Sequence, residues 1–134
     1  MISHVLDENA AIALLNGKSA RFLSRAFARP PGVVALPSIV AHELYFGAFK
    51  SQRVAFNLNM LRRLTQDTPI LEFTLDDARE SGELRALLAT RGTPIGPYDI
   101  LIAGQAKARG LTVVTNNVWE YGRVPGLKVE DWTA

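Results

Sequence analysis

The chain alternates short apolar runs with longer segments in which apolar residues recur every three or four positions. The short runs have the length and the β-branched content of buried strands, and they lie at 4–6, 33–36, 70–73, 111–115 and 127–129. The longer segments predict helices over 9–15, 19–29, 38–50, 54–65, 74–91 and 97–109. Strands separated by helices imply right-handed crossovers and a sheet covered on both faces. The pattern therefore predicts an α/β fold, a three-layer α/β/α arrangement around a mainly parallel sheet.

Residues at the predicted helix boundaries support this division. Ser38 and Thr74 are predicted to cap the helices that follow them, and Asp76 and Asp77 then stand in a first turn, where the helix dipole favours acids. Pro97 occupies the one helical position that tolerates proline, directly after Gly96. Residues 116–126 are predicted to form a loop and a turn before the last, edge-like strand.

Length and composition narrow the class of protein. A chain of 134 residues with 48% hydrophobic residues suits one folded domain, residues 1–134, with a core of its own. The absence of cysteine excludes disulfide scaffolds, thiol catalysis, iron–sulfur clusters and thiolate zinc sites. The longest apolar runs fall short of the ~20 residues of a membrane span, and acids stand where a signal peptide needs positive charge. We therefore expect a soluble cytoplasmic protein that has no membrane partner.

The net charge of +2 conceals an uneven distribution. Residues 18–63 hold eight basic residues and one acid, a formal charge of +7, whereas residues 1–17 carry −2 and residues 64–134 carry −3. Four of the basic residues recur at spacings of three and four on the predicted second helix: Lys18, Arg21, Arg25 and Arg29. Such a stripe suits the backbone of a polyanion, but a solvated helix face has the same pattern.

Polar residues follow two of the predicted strands. Asp7 comes directly after the first strand, Asn116 and Asn117 come after the strand at 111–115, and Asp99 stands in the first turn of the helix that precedes that strand. Ligands of open parallel sheets bind at the carboxyl ends of the strands, where these residues would meet. Each of them also has an ordinary structural interpretation, as a helix cap, a dipole-compensating acid or a turn residue.

Glu43 is harder to explain structurally. The predicted helix 38–50 is apolar almost all round, which predicts that it is deeply packed. A carboxylate in such a place must be paired, protonated or bound to a metal ion, because an unpaired buried charge is too costly. The sequence thus favours a functional role for Glu43.

Four motifs, in order along the whole chain, resemble those of PIN-domain ribonucleases. They are VLDEN at 5–9, SIVAHELYFG at 38–47, GTPIGPYDILIA at 92–103, and VVTNNVWEY at 113–121 followed by VPGL at 124–127. Within this family, the chain is most similar to the VapC-type toxins of bacterial toxin–antitoxin pairs. The resemblance implies a PIN-like fold and a metal-dependent endoribonuclease.

The resemblance also assigns the candidate catalytic residues. It implies that Asp7, Glu43 and Asp99 are the acidic metal ligands, that Asn117 stands where many PIN domains have a fourth acid, and that Glu120 is an auxiliary member. Such an all-oxygen set suits Mg²⁺ or Mn²⁺, which would activate water for attack on an RNA phosphodiester.

The same resemblance implies partners for the chain. They are an RNA substrate, a cognate VapB-type antitoxin protein and a second copy of the chain in a homodimer. The stripe Arg21, Arg25 and Arg29 could guide the RNA backbone, although a solvent role or an antitoxin contact explains it equally well.

One departure from the family pattern keeps an alternative open. The residue after the first aspartate is usually Thr or Ser, and here it is Glu8. Glu8 either points to solvent from the first turn of its helix, where the dipole favours it, or faces the metal ligands, and we expect the solvent orientation. Glu8 and the neutral Asn117 are the features that favour a weak or inactive PIN-like module that binds RNA or metal. A receiver-type α/β domain is a further alternative, but the predicted strand that would need an aspartate is followed by asparagines.

Overall fold

The computed structural model describes residues 1–134 and contains one five-stranded sheet in which every neighbouring pair is parallel. The spatial order is β3-β2-β1-β4-β5. The strands are β1 (His4–Leu6), β2 (Val34–Pro37), β3 (Ile70–Leu71), β4 (Thr112–Val114) and β5 (Lys128–Glu130). The predicted α/β class is therefore confirmed, and the sheet is wholly parallel.

Seven helices flank the sheet. They are α1 (Glu8–Asn16), α2 (Ala20–Phe27), α3 (Ser38–Phe49), α4 (Val54–Asp67), α5 (Leu75–Thr90), α6 (Pro97–Arg109) and α7 (Val118–Tyr121). Strands and helices share one apolar cluster of 25 buried residues, which includes the side chains of Val5, Leu36, Val40, Ile102 and Val113. None of the helices is both long enough and apolar enough to cross a membrane.

The strand order reverses direction between β1 and β4. The chain builds outward from β1 through β2 to β3, and then returns to place β4 on the other side of β1. A crevice forms at such a reversal, outside the carboxyl ends of the two strands. Receiver domains have the order 2-1-3-4-5, so this order excludes the receiver alternative.

Several predicted boundaries shift in the structure. Ser38 is the first residue of α3 and not its cap, because Pro37 ends β2 and leads directly into the helix with no side-chain cap bond. Thr74 caps α5 as predicted, in a reciprocal capping box with Asp77. Helix α7 lies in the predicted loop, since its four residues are too few to give a helical periodicity.

Helix α3 is not packed on all sides, contrary to the prediction. It buries Val40, Leu44 and Ala48, whereas Phe46 and Phe49 are 61% and 64% exposed. The inner stripe is enough to hold the helix, and no other element of this chain covers the outer face.

Helices α5 and α6 pack closely against each other. A Cβ added at Gly104 would lie 2.4 Å from the Cβ of Ser81, so the two backbones approach as glycine alone permits. Near the end of α6, Arg109 donates at 2.8 Å to the carboxylate of Asp77, which is 1% exposed. These contacts fix α6, and therefore the position of Asp99 in its first turn.

Candidate active site at the reversal of the sheet

Asp7 stands at the carboxyl end of β1, at the reversal of strand order. It is the N-cap of α1, and its Oδ1 accepts a hydrogen bond from the Ala10 N–H at 2.8 Å. Its Oδ2 accepts from the Thr115 hydroxyl at 2.5 Å. The side chain is only 3% exposed, and this burial raises the pKa of Asp7 despite the hydrogen bonds that favour its charged form.

Residues after β4 lie beside Asp7 because the two strands are neighbours, with Leu6 opposite Val114. Thr115 is buried, and its hydroxyl both donates to Asp7 and accepts from the Asn117 N–H at 2.9 Å. One threonine therefore orients the aspartate of β1 and the asparagine that follows β4. The sequence analysis did not single out Thr115, although its place at the carboxyl end of a buried strand was a usable signal.

Asp99 reaches the same edge from α6, the helix that runs into β4. Its Oδ1 accepts from the Tyr121 hydroxyl at 3.0 Å, and burial raises the pKa of Tyr121, so this phenol keeps its proton. Burial and a hydrogen-bonding contact with Glu120 raise the pKa of the Asp99 carboxyl to about 6. Tyr121 is a second candidate site residue that the sequence analysis missed, because its partner lies 22 residues away.

Helix α7 supplies Glu120, the auxiliary acid. Its Oε1 accepts from the Gly96 N–H at 2.8 Å, and its Oε2 accepts from the Asn117 side-chain amide at 2.8 Å. These bonds, led by the one from Gly96, keep the pKa of Glu120 below its usual value, so Asp99 is the acid of the pair that takes up a proton first as the pH falls. A Cβ at Gly96 would lie 2.9 Å from Asp99 Oδ2 and 3.5 Å from Glu120 Oε1. A residue with a side chain would therefore crowd both acids.

Glu43 faces the site from α3. Its Oε1 is buried and has no hydrogen-bond partner. Burial, a hydrogen-bonding contact with Glu8 and the charges of Asp7 and Asp99 raise the pKa of Glu43 to about 8. Residues on α3 and α6 thus act electrostatically on one another across the crevice.

The predicted solvent orientation of Glu8 is wrong. Its side chain is half-buried and contacts the Glu43 carboxyl. Helix α1 begins at the edge of the sheet, so the Glu8 side chain, in its first turn, points across the crevice toward α3 and not into solvent. Glu8 therefore adds a carboxyl group to the acidic cluster.

The donor set suits a hard divalent cation. Every candidate ligand offers oxygen, and the unpaired Glu43 Oε1 is the kind of buried atom that a cation would satisfy. The side chains do not stand ready in a closed cluster of three or more acids. Glu43 contacts Glu8, so binding of an ion would replace this contact with coordination, whereas the Tyr121 hydroxyl holds only Oδ1 of Asp99.

The basic stripe on α2 is separate from the acids. The Arg25 guanidinium donates to the Asp131 carbonyl at 2.8 Å, and Arg29 lies 3.3 Å from Glu130 and 4.6 Å from the centroid of the Trp132 ring. Arg21 is exposed. Two of the three arginines therefore hold the C-terminal segment, and none of these contacts is with an acid of the site.

The fold and the acidic crevice define a PIN domain, and the PIN-domain family model matches residues 4–118. The chain is 39% identical over 132 residues to the tRNA(fMet)-specific endonuclease VapC of Salmonella typhimurium, covering 98% of this chain and 99% of that protein. It is 32% identical to Ribonuclease VapC2 of Rickettsia felis, covering 96% and 97% of the two chains.

Comparison with solved structures supports the same family. The DNA-bound VapBC crystal structure from Salmonella typhimurium matches with a TM-score of 0.93 at 39% identity, over 98% of this chain and 99% of that one. The structure of VapBC-1 from nontypeable Haemophilus influenzae matches with a TM-score of 0.91 at 29% identity, over 100% of both chains. The chain belongs to the PIN-domain family and, within it, to the VapC-type ribonuclease toxins of toxin–antitoxin pairs.

Proposed function

We propose that this chain is an endoribonuclease that hydrolyses RNA phosphodiester bonds with the help of Mg²⁺ or Mn²⁺. The observation that carries the proposal is the gathering of Asp7, Glu43 and Asp99 at the reversal of the sheet, where burial raises the pKa of all three and the charge of Asp7 adds to the rise at Glu43 and Asp99. Mutual repulsion of this kind is relieved when a cation or a proton enters the cluster.

Asp7, Glu43 and Asp99 would hold the ion, with Asn117 and Glu120 completing the oxygen set. When bound, the ion supplies positive charge for the phosphate and lowers the pKa of water. Thr115 and Tyr121 act as positioning residues, because each donates a hydrogen bond to one of the aspartates. The reaction needs no nucleophilic side chain, in keeping with a cysteine-free chain.

Metal binding can be tested apart from cleavage. Titration of Mn²⁺ in a calorimeter should give heat for the parent and little or none for Glu43→Gln or Asp99→Asn. Glu83→Gln is the matched control, because Glu83 is an exposed acid of α5 outside the site. Equal affinity in all four proteins would remove Glu43 and Asp99 from the metal site.

A structured RNA is the proposed substrate. The Salmonella relative is named for cleavage of tRNA(fMet), so we propose initiator tRNA as the first candidate. A cleft of about 530 Å³ opens beside Glu8 and Glu43, and Lys50 in its wall could contact phosphate. Sequencing of RNA ends after induction in cells should reveal new ends in the cytoplasmic tRNA pool with the parent and none with Asp99→Asn.

A VapB-type antitoxin is the proposed protein partner. A largely apolar groove of about 350 Å³ runs between α1, α3 and α4, past Ile12 and Met60, and has Glu8 and Glu43 in its wall. An apolar segment with a basic side chain would complement it. Co-expression with a VapB-type antitoxin that binds the parent should abolish cleavage, and Ile12→Glu should restore it.

A homodimer is the proposed assembly. Phe46 and Phe49 on α3 and Phe56 on α4 leave large apolar side chains exposed, which is typical of an interface. Sedimentation should give a dimer for the parent and a monomer for Phe49→Glu. A monomeric parent at micromolar concentration would contradict this assembly.

A further inference from the structure

Trp119 is a large aromatic side chain left in solvent at the rim of the site. It is 66% exposed, whereas the only other tryptophan, Trp132, is 2% exposed and part of the core. Its neighbours on α7 point the other way, since Glu120 and Tyr121 are bonded to Gly96 and Asp99. The backbone that carries the indole is therefore fixed relative to the acids.

Arg123 stacks on this indole. The centre of its guanidinium lies 4.7 Å from the ring centroid, and Nη1 donates at 2.7 Å to the Pro94 carbonyl. The bond ties Arg123 to the loop that leads into α6 and Asp99. The other N–H groups of the guanidinium have no partner in this chain and can reach a phosphate.

An exposed ring with a stacked arginine is well suited to an unpaired nucleobase. Stacking on such a ring contributes about 1–3 kcal/mol per base and needs no particular base, because every base has a π-face. The guanidinium adds a cation–π contribution and a charge for the neighbouring phosphate. A site in which RNA is cleaved beside Asp99 needs to hold the RNA strand on either side of the scissile bond.

We propose that Trp119 and Arg123 form a platform on which an unpaired base of the RNA substrate stacks while its backbone enters the acidic crevice. This inference rests on the proposed function, because it assigns the platform to the same RNA. The platform would favour cleavage at unpaired positions in a folded RNA.

The two tryptophans make the proposal directly measurable. The full chain is titrated in EDTA with a 12-nucleotide single-stranded RNA, and both the tryptophan emission and the anisotropy of a labelled copy of the RNA are recorded. We expect the RNA to quench the exposed, red-shifted emission of Trp119. Trp119→Phe should bind within about twofold of the parent but lose the quenching. Trp119→Ala should bind about 5- to 100-fold more weakly, the range that corresponds to 1–3 kcal/mol.

Leu75→Ala is the matched control, because Leu75 is a large side chain 86% exposed on α5, away from the site; it should bind RNA like the parent. Undiminished binding by Trp119→Ala would overturn the platform. If the emission shifts with protein concentration and not with added RNA, the platform is also overturned, and Trp119 then lies in a protein interface. Cleavage of initiator tRNA by the parent in Mg²⁺ is measured alongside, so that loss of the platform is distinguished from loss of the proposed function.

Discussion

The carboxyl groups of the site differ in how they are held. Asp7 has both oxygens hydrogen-bonded by Ala10 and Thr115, whereas Glu43 has one buried oxygen with no partner. A carboxylate with fixed oxygens is already oriented, and a carboxyl group with an unpaired oxygen binds a proton or a cation more readily. We infer that Asp7 sets the geometry of the site and that Glu43 responds to what enters it.

The pair of Glu8 and Glu43 gives a prediction at this scale. Glu8→Thr removes the hydrogen-bonding contact and the charge that help to raise the pKa of Glu43, so this pKa should fall below about 8, with burial still holding it above its usual 4.5. Side-chain carboxyl NMR across a pH series in EDTA measures the change. Glu120→Gln is the control, because it should lower the pKa of Asp99 from about 6 and leave that of Glu43 in place. An unchanged pKa of Glu43 in Glu8→Thr would contradict the contact.

Thr115 gives a second prediction. Thr115→Val keeps the shape of a buried side chain but removes the hydroxyl that donates to Asp7 and accepts from Asn117. We expect cleavage to fall about 10- to 100-fold, as when an outer partner of a metal ligand is lost, with KM little changed. Thr112→Val, at a buried threonine of the same strand, is the control for repacking. Full activity of Thr115→Val would show that Asp7 needs no such support.

The acidic residues of the site could be picked out from the sequence, whereas the residues that hydrogen-bond to them could not. Strand ends and helix starts pointed to Asp7 and Asp99, and a lone acid on an apolar helix pointed to Glu43, whereas their roles as metal ligands came from the resemblance to PIN domains. Tyr121 and Gly96 serve partners that lie 22 and 24 residues away along the chain. No local pattern reports such contacts. The side chain of Glu8 was misjudged because its direction depends on where α3 lies across the crevice.

The contact of α5 with α6 carries a prediction at the scale of the element. Gly104→Ala places a methyl group within 2.5 Å of the Ser81 backbone, so the helices must separate. We expect a loss of about 1–3 kcal/mol of unfolding free energy. Gly82→Ala is the matched control, because a Cβ at this α5 position meets nothing within 4 Å and should stabilise the helix by about 0.5–1 kcal/mol. Thermal melts should show a lower melting temperature for Gly104→Ala and a higher one for Gly82→Ala.

Variants of the basic stripe can distinguish a structural role from RNA binding. Arg29→Gln should lower the melting temperature, because it breaks the contacts with Glu130 and Trp132. Arg21→Gln should leave the melting temperature unchanged and, if the stripe guides RNA, weaken RNA binding and flatten its salt dependence. Binding across a salt series measures the second effect. An unaltered salt slope in Arg21→Gln would return the stripe to a structural role.

Element boundaries were less predictable than the elements themselves. All five strands and the six longer helices correspond to predicted segments, whereas α7 is too short to have a period of its own. The exposed face of α3 was unpredictable for another reason. An apolar helix indicates burial, but the sequence does not say whether this chain or another molecule covers it.

At the scale of the whole molecule, the reversal of strand order explains why the acids meet. Asp7 and Thr115 follow neighbouring strands, α3 starts directly after β2, and α6 begins at the same edge before it runs into β4. Residues far apart along the chain therefore reach one crevice without any long loop. The core beneath them is shared by strands and helices, so the scaffold can hold several like charges close together.

Cleavage by the purified chain tests the central claim most directly. Initiator tRNA is incubated with the parent, Asp7→Asn, Glu43→Gln and Asp99→Asn in Mg²⁺, Mn²⁺ or EDTA, and circular dichroism confirms that each variant is folded. The account predicts cleavage by the parent with either metal ion, none in EDTA, and a loss of at least about 100-fold in each variant. Cleavage that persists in EDTA or in these variants would contradict it, and so would tight RNA binding by the parent without any cleavage, the result expected of an inactive PIN-like module.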